Sequence, residues 1–313
     1  MNSRIMDCLI CPGCLPEEMG LVLDADESRG DEIISGALRC PQCLTRYPIA
    51  EGIATIHPRR QDPAPGTDPK YEAPEVVSSY LWSHYADLLD DAEATQAYLE
   101  WAEQMLPGPG FALDAGCAVG RFTFELSRKC DFAIGIDSST SFLAQARKLL
   151  VEHRLDFDLK LEGRLFEKRT LNLPENWDMS KLEFIAADAQ ALPFRSNFFS
   201  CVASLNLVDK LPKPLVHLEE LSRSARNTGA QLLFSDPFSW SEACAKAEDW
   251  LGGGDCGTSA GRGLDNVRTI LAGRDGAISP PWTIAKQSDV WWKIRNHCNH
   301  FELIRSCFIK ANR

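Results

Sequence analysis

The chain has 313 residues, 44% of them hydrophobic and 25% charged, with a formal charge of -11. That composition excludes a disordered or fibrous protein and leaves room for one large core with a small satellite. The acidic balance sets the surface as a whole against nucleic-acid phosphates, which are bound by clustered Lys and Arg. No apolar run reaches the roughly 18 to 20 residues of a membrane span, and Met1 to Cys14 lacks a basic stretch followed by an apolar one. A cytoplasmic protein without membrane contact is expected, and its twelve cysteines then point to metal binding or burial rather than to disulfides.

Residues 1–57 hold two cysteine pairs around two short alternating segments, Gly20–Asp24 and Ile33–Leu38, which predict a small hairpin module. Cys11-Pro12-Gly13-Cys14 and Cys40-Pro41-Gln42-Cys43 are CPxC knuckles with 25 residues between them. Two such turns present four thiolates tetrahedrally to one Zn²⁺ and leave no open position, so a structural metal is expected, with Cys8 as a spare. The knuckles, with Tyr47-Pro48-Ile49-Ala50-Glu51-Gly52-Ile53 behind them, resemble the small zinc-ribbon activator subunit of tRNA and rRNA methyltransferases. Over residues 1–57 the resemblance implies a docking or stabilising ribbon, open to a protein partner or to self-association.

Residues 58–73, rich in Pro, Asp and Gly, read as a linker, and residues 74–313 as the main domain. A helical stretch over about 74–106 carries Tyr80, Trp82, Tyr85, Tyr98 and Trp101, aromatics whose spacing places them in a core. Strands and helices then alternate: strands at 111–114, 132–137, 182–187, 199–205 and 231–234, and helices at about 121–129, 141–153 and 215–225. That order predicts an α/β fold with a parallel sheet. The stretches 154–181 and 239–286 exceed what such a domain requires and read as lids or substrate walls. A closing hairpin over 290–309 puts His297 and His300 at its turn rather than at a metal, and sets Trp291 and Trp292 on opposite faces.

The strand at 111–114 ends in Asp114-Ala115-Gly116-Cys117-Ala118-Val119-Gly120-Arg121, an acid followed by glycines four apart ahead of a helix. Glycines there let a ligand approach the backbone at the carboxyl ends of the strands. Strand two ends in Asp137, 23 residues after Asp114, placed to bind both hydroxyls of a ribose. The turn after this strand does not carry GxGxxG, the dinucleotide signature. DxGxxxG resembles motif I of class I methyltransferases, and Ala187-Asp188-Ala189-Gln190-Ala191-Leu192-Pro193-Phe194 resembles the same family's strand-three segment. The resemblance implies a Rossmann-like, seven-stranded domain behind the ribbon, with S-adenosylmethionine as cofactor. Its contacts would be Asp114 toward the amino group, Gly116, Cys117 and Gly120 in the loop, Asp137 and Ser138 at the ribose, Asp188 and Ala189 at the adenine, and Asn206. Cys117 reads as a small loop residue rather than a nucleophile, and Arg121 either pairs with a carboxylate or faces solvent.

Methyl transfer is an in-line displacement, so a protein mainly aligns donor and acceptor and excludes water. Asn206 and Asp236, at the ends of strands four and five, are the candidate catalytic or acceptor-contacting residues; Asp209 is a weaker one, and each could instead cap a turn. Asp114 to Arg121, Gly135-Ile136-Asp137, Glu162-Gly163, Asn206-Leu207-Val208-Asp209, Pro237-Phe238-Ser239-Trp240 and Trp250-Leu251-Gly252-Gly253 resemble the C-terminal methyltransferase domain of ovothiol-biosynthesis enzymes. That resemblance implies a small acceptor, an imidazole nitrogen or a thiol sulfur, near Glu162 and the 240–253 region. The chain departs from it in carrying a ribbon where those enzymes have a sulfoxide-synthase module. The reading is therefore a small-molecule methyltransferase, with an RNA methyltransferase or a non-catalytic adaptor as alternatives.

Overall fold

The computed structural model describes residues 1–58, 69–274 and 276–313; most of the expected 58–73 linker lies outside the described residues. The N-terminal module supplies strands β1 Val22–Arg29, β2 Glu32–Arg39, β3 Arg46–Ala50 and β4 Ile53–Ile56. Helices α1 Pro74–Tyr85 and α2 Ala97–Glu103 follow. Then come β5 Phe111–Ala115, α3 Arg121–Ser127, β6 Phe132–Asp137 and α4 Thr140–Glu152. The chain continues through β7 Arg154–Glu162, β8 Leu165–Asn172, β9 Leu182–Ala187, β10 Cys201–Leu205, α5 Pro214–Ser224 and β11 Gln231–Asp236. It closes with α6 Gly263–Leu271, β12 Thr283–His297 and β13 His300–Asn312. Among these helices none is long and apolar enough to cross a membrane.

One sheet of eleven strands runs β1-β2-β3-β4-β9-β6-β5-β10-β11-β13-β12. The seven strands from β9 to β12 belong to the main domain, and the four strands of the N-terminal module, expected as a separate unit, join them in the same sheet. β4 alternates half-buried and buried side chains and aligns in parallel with β9, Ala54 against Ile185 and Ile56 against Ala187. The ribbon's meander thereby continues the central sheet, so the apolar inner faces of both parts enter a common core. The central strands β5, β6 and β9 are almost wholly buried, as parallel strands covered on both faces must be. The chain leaves β5 for β6 on one side and later returns to β10 on the other. A crevice opens at the carboxyl ends of strands around such a reversal.

The expected insertion at 154–181 forms a separate antiparallel hairpin, β7 and β8, whose Leu159 packs on Trp82 and Ala86 next to α1. β12 and β13 are longer than expected, and His297 pairs with His300 beside the turn, as the sequence suggested. Trp291 is half exposed, and Trp292 is buried.

A buried ion pair ties helix to sheet and to ribbon. Arg147 of α4 donates to Glu183 Oε1 of β9 at 3.2 Å and also meets Glu32 of β2, while Glu183 receives the Asn2 and Phe184 amides. Removing one member strands a charge where water does not reach it. Arg147→Met should therefore cost about 3 kcal/mol or more in denaturant unfolding, and a loss below about 1 kcal/mol would show that the Glu183 carboxylate does not depend on its arginine.

Candidate active site

A cavity of about 480 Å³ lies at the carboxyl ends of β5, β6 and β10. Its floor is the turn after β5. The Gly116 and Cys117 amides both donate to the Ile136 carbonyl of β6, at 2.8 and 2.9 Å, which folds the turn back over the next strand. Gly116 has φ +80°, and a Cβ there would meet Leu207 at 2.9 Å. Gly120, at φ +88°, starts α3 with its Cα against the Phe184 ring, where a Cβ would come within 2.6 Å. These are positions that only glycine fills without strain.

Asp114 lies in the floor, almost fully buried, and accepts from Thr123 Oγ1 at 2.7 Å. Burial pushes its carboxyl up to about 7. Asp137 ends β6 and accepts from the Ala118 and Ser139 amides at 2.9 and 2.8 Å. Burial outweighs those donors and holds it at about 6. Two acids, one on each of two adjacent strands, thus face the same cavity. Asn206 sits at the end of β10 with φ +55°; its amide donates to the Ser235 carbonyl at 2.7 Å, and its buried Oδ1 has no partner among the described residues. Asp114, Gly116, Cys117, Asp137, Ser138 and Asn206 all line the cavity. Gly120 supports it from behind.

Asp188 and Ala189 follow β9, one strand beyond Asp137, and are not among the residues lining the cavity. Asp188 Oδ1 accepts from the Gln190 amide at 2.8 Å, and the Ala189 carbonyl pairs with His217 Nδ1 at 2.9 Å. Asp236, the other candidate at a strand end, is likewise not among the residues lining the cavity. Its side chain is fully buried, Oδ1 accepting from the Phe238 amide at 2.7 Å in a turn after β11. Burial and the neighbouring Asp209 push its carboxyl well above the usual range. Asp209 likewise accepts from the Ser239 amide at 2.8 Å and pairs with Lys210. Arg121 pairs with Asp87 at 2.7 Å and Glu125 at 2.9 Å, which decides between its two readings for carboxylate pairing. Burial raises the Cys117 thiol well above its ordinary range, in keeping with a loop residue.

Two of the aromatics read as core, Tyr80 and Tyr98, belong to the cavity wall, together with residues that the sequence did not single out. Tyr80, His84, Tyr98, Phe142 and Trp292 face the floor from α1, α2, α4 and β12. Tyr98 Oη and His84 Nε2 lie 2.7 Å apart, and burial pushes His84 down to about 3, so its imidazole is neutral. The four-residue spacing of Tyr80 and His84 on one face of α1 was the available signal.

In the N-terminal module the sulfurs of Cys11, Cys14, Cys40 and Cys43 all lie within 4.8 Å of one another. Two of the pairs, Cys11–Cys43 and Cys14–Cys40, are 3.6 and 3.7 Å apart. A zinc tetrahedron with bonds of about 2.3 Å has sulfur–sulfur edges of about 3.8 Å, so four thiolates at these distances fit structural zinc. Cys8 stays outside, its sulfur on the Ile5 carbonyl at 2.9 Å.

Residues 113–233 match the family described as "Methyltransferase domain". No curated protein matches the chain in sequence. Among solved structures, an S-adenosylmethionine-dependent methyltransferase from Aquifex aeolicus is 15% identical, covering 76% of this chain and 97% of its own, with a TM-score of 0.45. Magnesium protoporphyrin IX methyltransferase from Synechocystis PCC 6803 is 16% identical over 76% of this chain and 83% of its own, with a TM-score of 0.42. A methyltransferase from Methanosarcina mazei is 15% identical over 67% and 95%, at 0.44. Likenesses this distant say nothing of the acceptor. The matched segment spans the strands and the turn that build the cavity floor, and residues 113–233 are on that ground a methyltransferase domain.

Proposed function

We propose that the acceptor is a small molecule, methylated at an imidazole nitrogen or a thiol sulfur. The observation that carries this reading is the wall of the cavity. Its lining is mainly aromatic and apolar, and Lys210 is the only Lys or Arg among the described residues that line it, already paired with Asp209 at 3.0 Å. A groove for RNA instead tracks phosphates with several free cations beside its stacking rings. The volume suits a cofactor with a small partner.

In this reading the cofactor supplies an activated methyl group on a sulfonium. Asp114 receives the amino group of its amino-acid end, the amides of the Gly116–Ala118 turn lie along it, Asp137 and Ser138 hold the ribose, and Asp188 with Ala189 flank the adenine. Asn206 is the residue proposed to orient the acceptor, its unpartnered Oδ1 at the end of β10 taking a proton-bearing group of the incoming molecule. The aromatic wall excludes water and fixes the line of approach. Residues 1–57 and 74–313 are proposed as ribbon and catalytic parts of one cytoplasmic enzyme, with the ribbon's outer face open to a partner.

Transfer of labelled methyl to histidine thiols or simple thiols, with total RNA left unlabelled, is the expected result of a radiolabel screen; label on RNA alone would overturn the acceptor class. Asn206→Ala should lower turnover at saturating cofactor by about a hundredfold, and turnover within about threefold of the parent would remove it from the site. The two floor carboxyls bind the cofactor ionised, yet burial keeps them partly protonated in the empty site up to about 6 and about 7. Cofactor affinity should therefore rise by roughly tenfold or more between pH 5.5 and 7.5 and level off above that, by calorimetry; a flat profile counts against both assignments. By the same shift the empty protein holds these protons more tightly than the unfolded chain does, so they contribute a loss of stability as pH rises from about 4 to about 7. Cys14→Ser should abolish bound zinc and lower Tm, and full zinc content in that variant would remove Cys14 from the ligand set.

A further inference from the structure

The segment 188–196, between β9 and β10, is gripped from two sides. On one side stands the ribbon. The Ile10 amide donates to the Pro193 carbonyl at 2.9 Å, the Arg195 amide to the Cys8 carbonyl at 3.0 Å, and Leu9 bridges to Phe194 in antiparallel register. Arg195 Nε reaches the Asp7 carbonyl at 2.9 Å, and the Ser196 amide donates to Glu18 Oε1 at 2.8 Å. On the other side stands α5. Arg223 donates to the Phe194 and Leu192 carbonyls at 2.7 and 3.0 Å, and Glu220 accepts from the Leu192 amide at 2.8 Å. Arg223 also pairs with Glu18 at 3.0 Å, which closes a ring of contacts from ribbon to loop to helix.

The gripping residues adjoin the four-cysteine cluster. Asp7 to Ile10 run directly into the first zinc ligand, Cys11, whose amide donates to the Met19 carbonyl at 2.8 Å, one residue past Glu18. Over residues 1–20 the chain makes only short 3₁₀ turns and is held by the buried Met1, Ile5, Cys8, Leu9 and Ile10, by bridges from Asn2 to Glu32 and from Ile10 to Gly20, and by the four-cysteine cluster that Cys11 and Cys14 enter. Leu192 and Phe194 lie in the same buried cluster as those ribbon residues.

The loop in turn reaches the cavity. Gln190 Oε1 accepts from the Lys213 amide at 2.8 Å, directly after Leu211 and Pro212, which line the cavity. Gln190 also donates its amide to Asp188, and His217 ties the Ala189 carbonyl to Ser204 of β10 at 2.9 and 2.8 Å.

We infer that the ribbon is a positioning element of the cofactor site: zinc orders Asp7–Cys11, and that stretch holds the Asp188–Ser196 segment at the adenine side. The inference rests on the proposed reading of Asp188 and Ala189 as adenine contacts. Zinc and cofactor are then linked, each raising the protein's affinity for the other by the same factor.

Calorimetry with S-adenosylhomocysteine and with adenosine, on the full zinc-replete chain and after chelation, is the test. Chelation should raise both dissociation constants by about tenfold in parallel, with amide exchange speeding up over 188–196 while β12 and β13 stay protected. Reciprocally, saturating S-adenosylhomocysteine should tighten the zinc affinity measured against a competing chelator, by the same factor. Where the chelated protein unfolds outright, a Glu18→Ala/Arg195→Ala variant, which leaves all four cysteines and the cavity lining untouched, takes its place. With full zinc content it should still lose about threefold or more in affinity for both ligands. Affinities within about twofold of the parent in the chelated, folded protein, or in that variant, overturn the inference. Asp188→Ala separates the two readings: unchanged adenosine binding there overturns the adenine assignment and the inference with it, whereas weakened adenosine binding there alongside an unaffected double variant overturns the inference alone.

Discussion

The site depends on a backbone constraint: two successive amides, Gly116 and Cys117, turn back onto one carbonyl, Ile136. That turn demands a left-handed residue at Gly116 and leaves no room for a side chain beside Leu207. Once it is made, β5 delivers Asp114 to the cavity floor, β6 delivers Asp137 beside it, and α3 begins at Gly120. The glycine spacing is the sequence imprint of that geometry.

The electrostatics of the floor follow from the same packing. Two acids on adjacent buried strands lose hydration together, and backbone amides at Asp137 return only part of it. An empty site of this kind favours the protonated acids; a ligand that brings a cation and hydroxyl donors restores what burial removed. Opposite them the wall is built of rings and of a neutral His84 held by Tyr98, so the polar work is concentrated in the floor and in Asn206.

The ribbon enters this scheme through the sheet. A four-strand meander with a four-thiol cluster is too small to build much of a core alone, and it gains one by aligning β4 with β9 and sharing the cluster of Leu192 and Phe194. The part that carries the four cysteines is thereby in direct contact with the strand and loop that flank the cavity.

Read from residues alone, the alternation of strands and helices, the four cysteines, the glycine turn and Asp137 were legible, because each is a local pattern: a period, a spacing or a backbone conformation that neighbours in sequence enforce. Asn206 was legible as a strand end. Asp236 looked equivalent to it, and packing gives the two different partners, since the Phe238 amide in the turn after β11 takes up the Asp236 carboxylate while Asn206 Oδ1 keeps none among the described residues. Tyr80, His84, Tyr98 and Trp292 carried an apolar signature that core and cavity wall share, and which of the two they form depends on what faces them across the fold. Eleven strands instead of seven, and a ribbon built into the sheet, were likewise decided only when β4 met β9, a pairing between segments about 130 residues apart that no local pattern encodes. The sequence by itself determined the elements and the cofactor turn; the tertiary structure decided which side chains meet, because long-range contacts are set by the joint packing of all the faces.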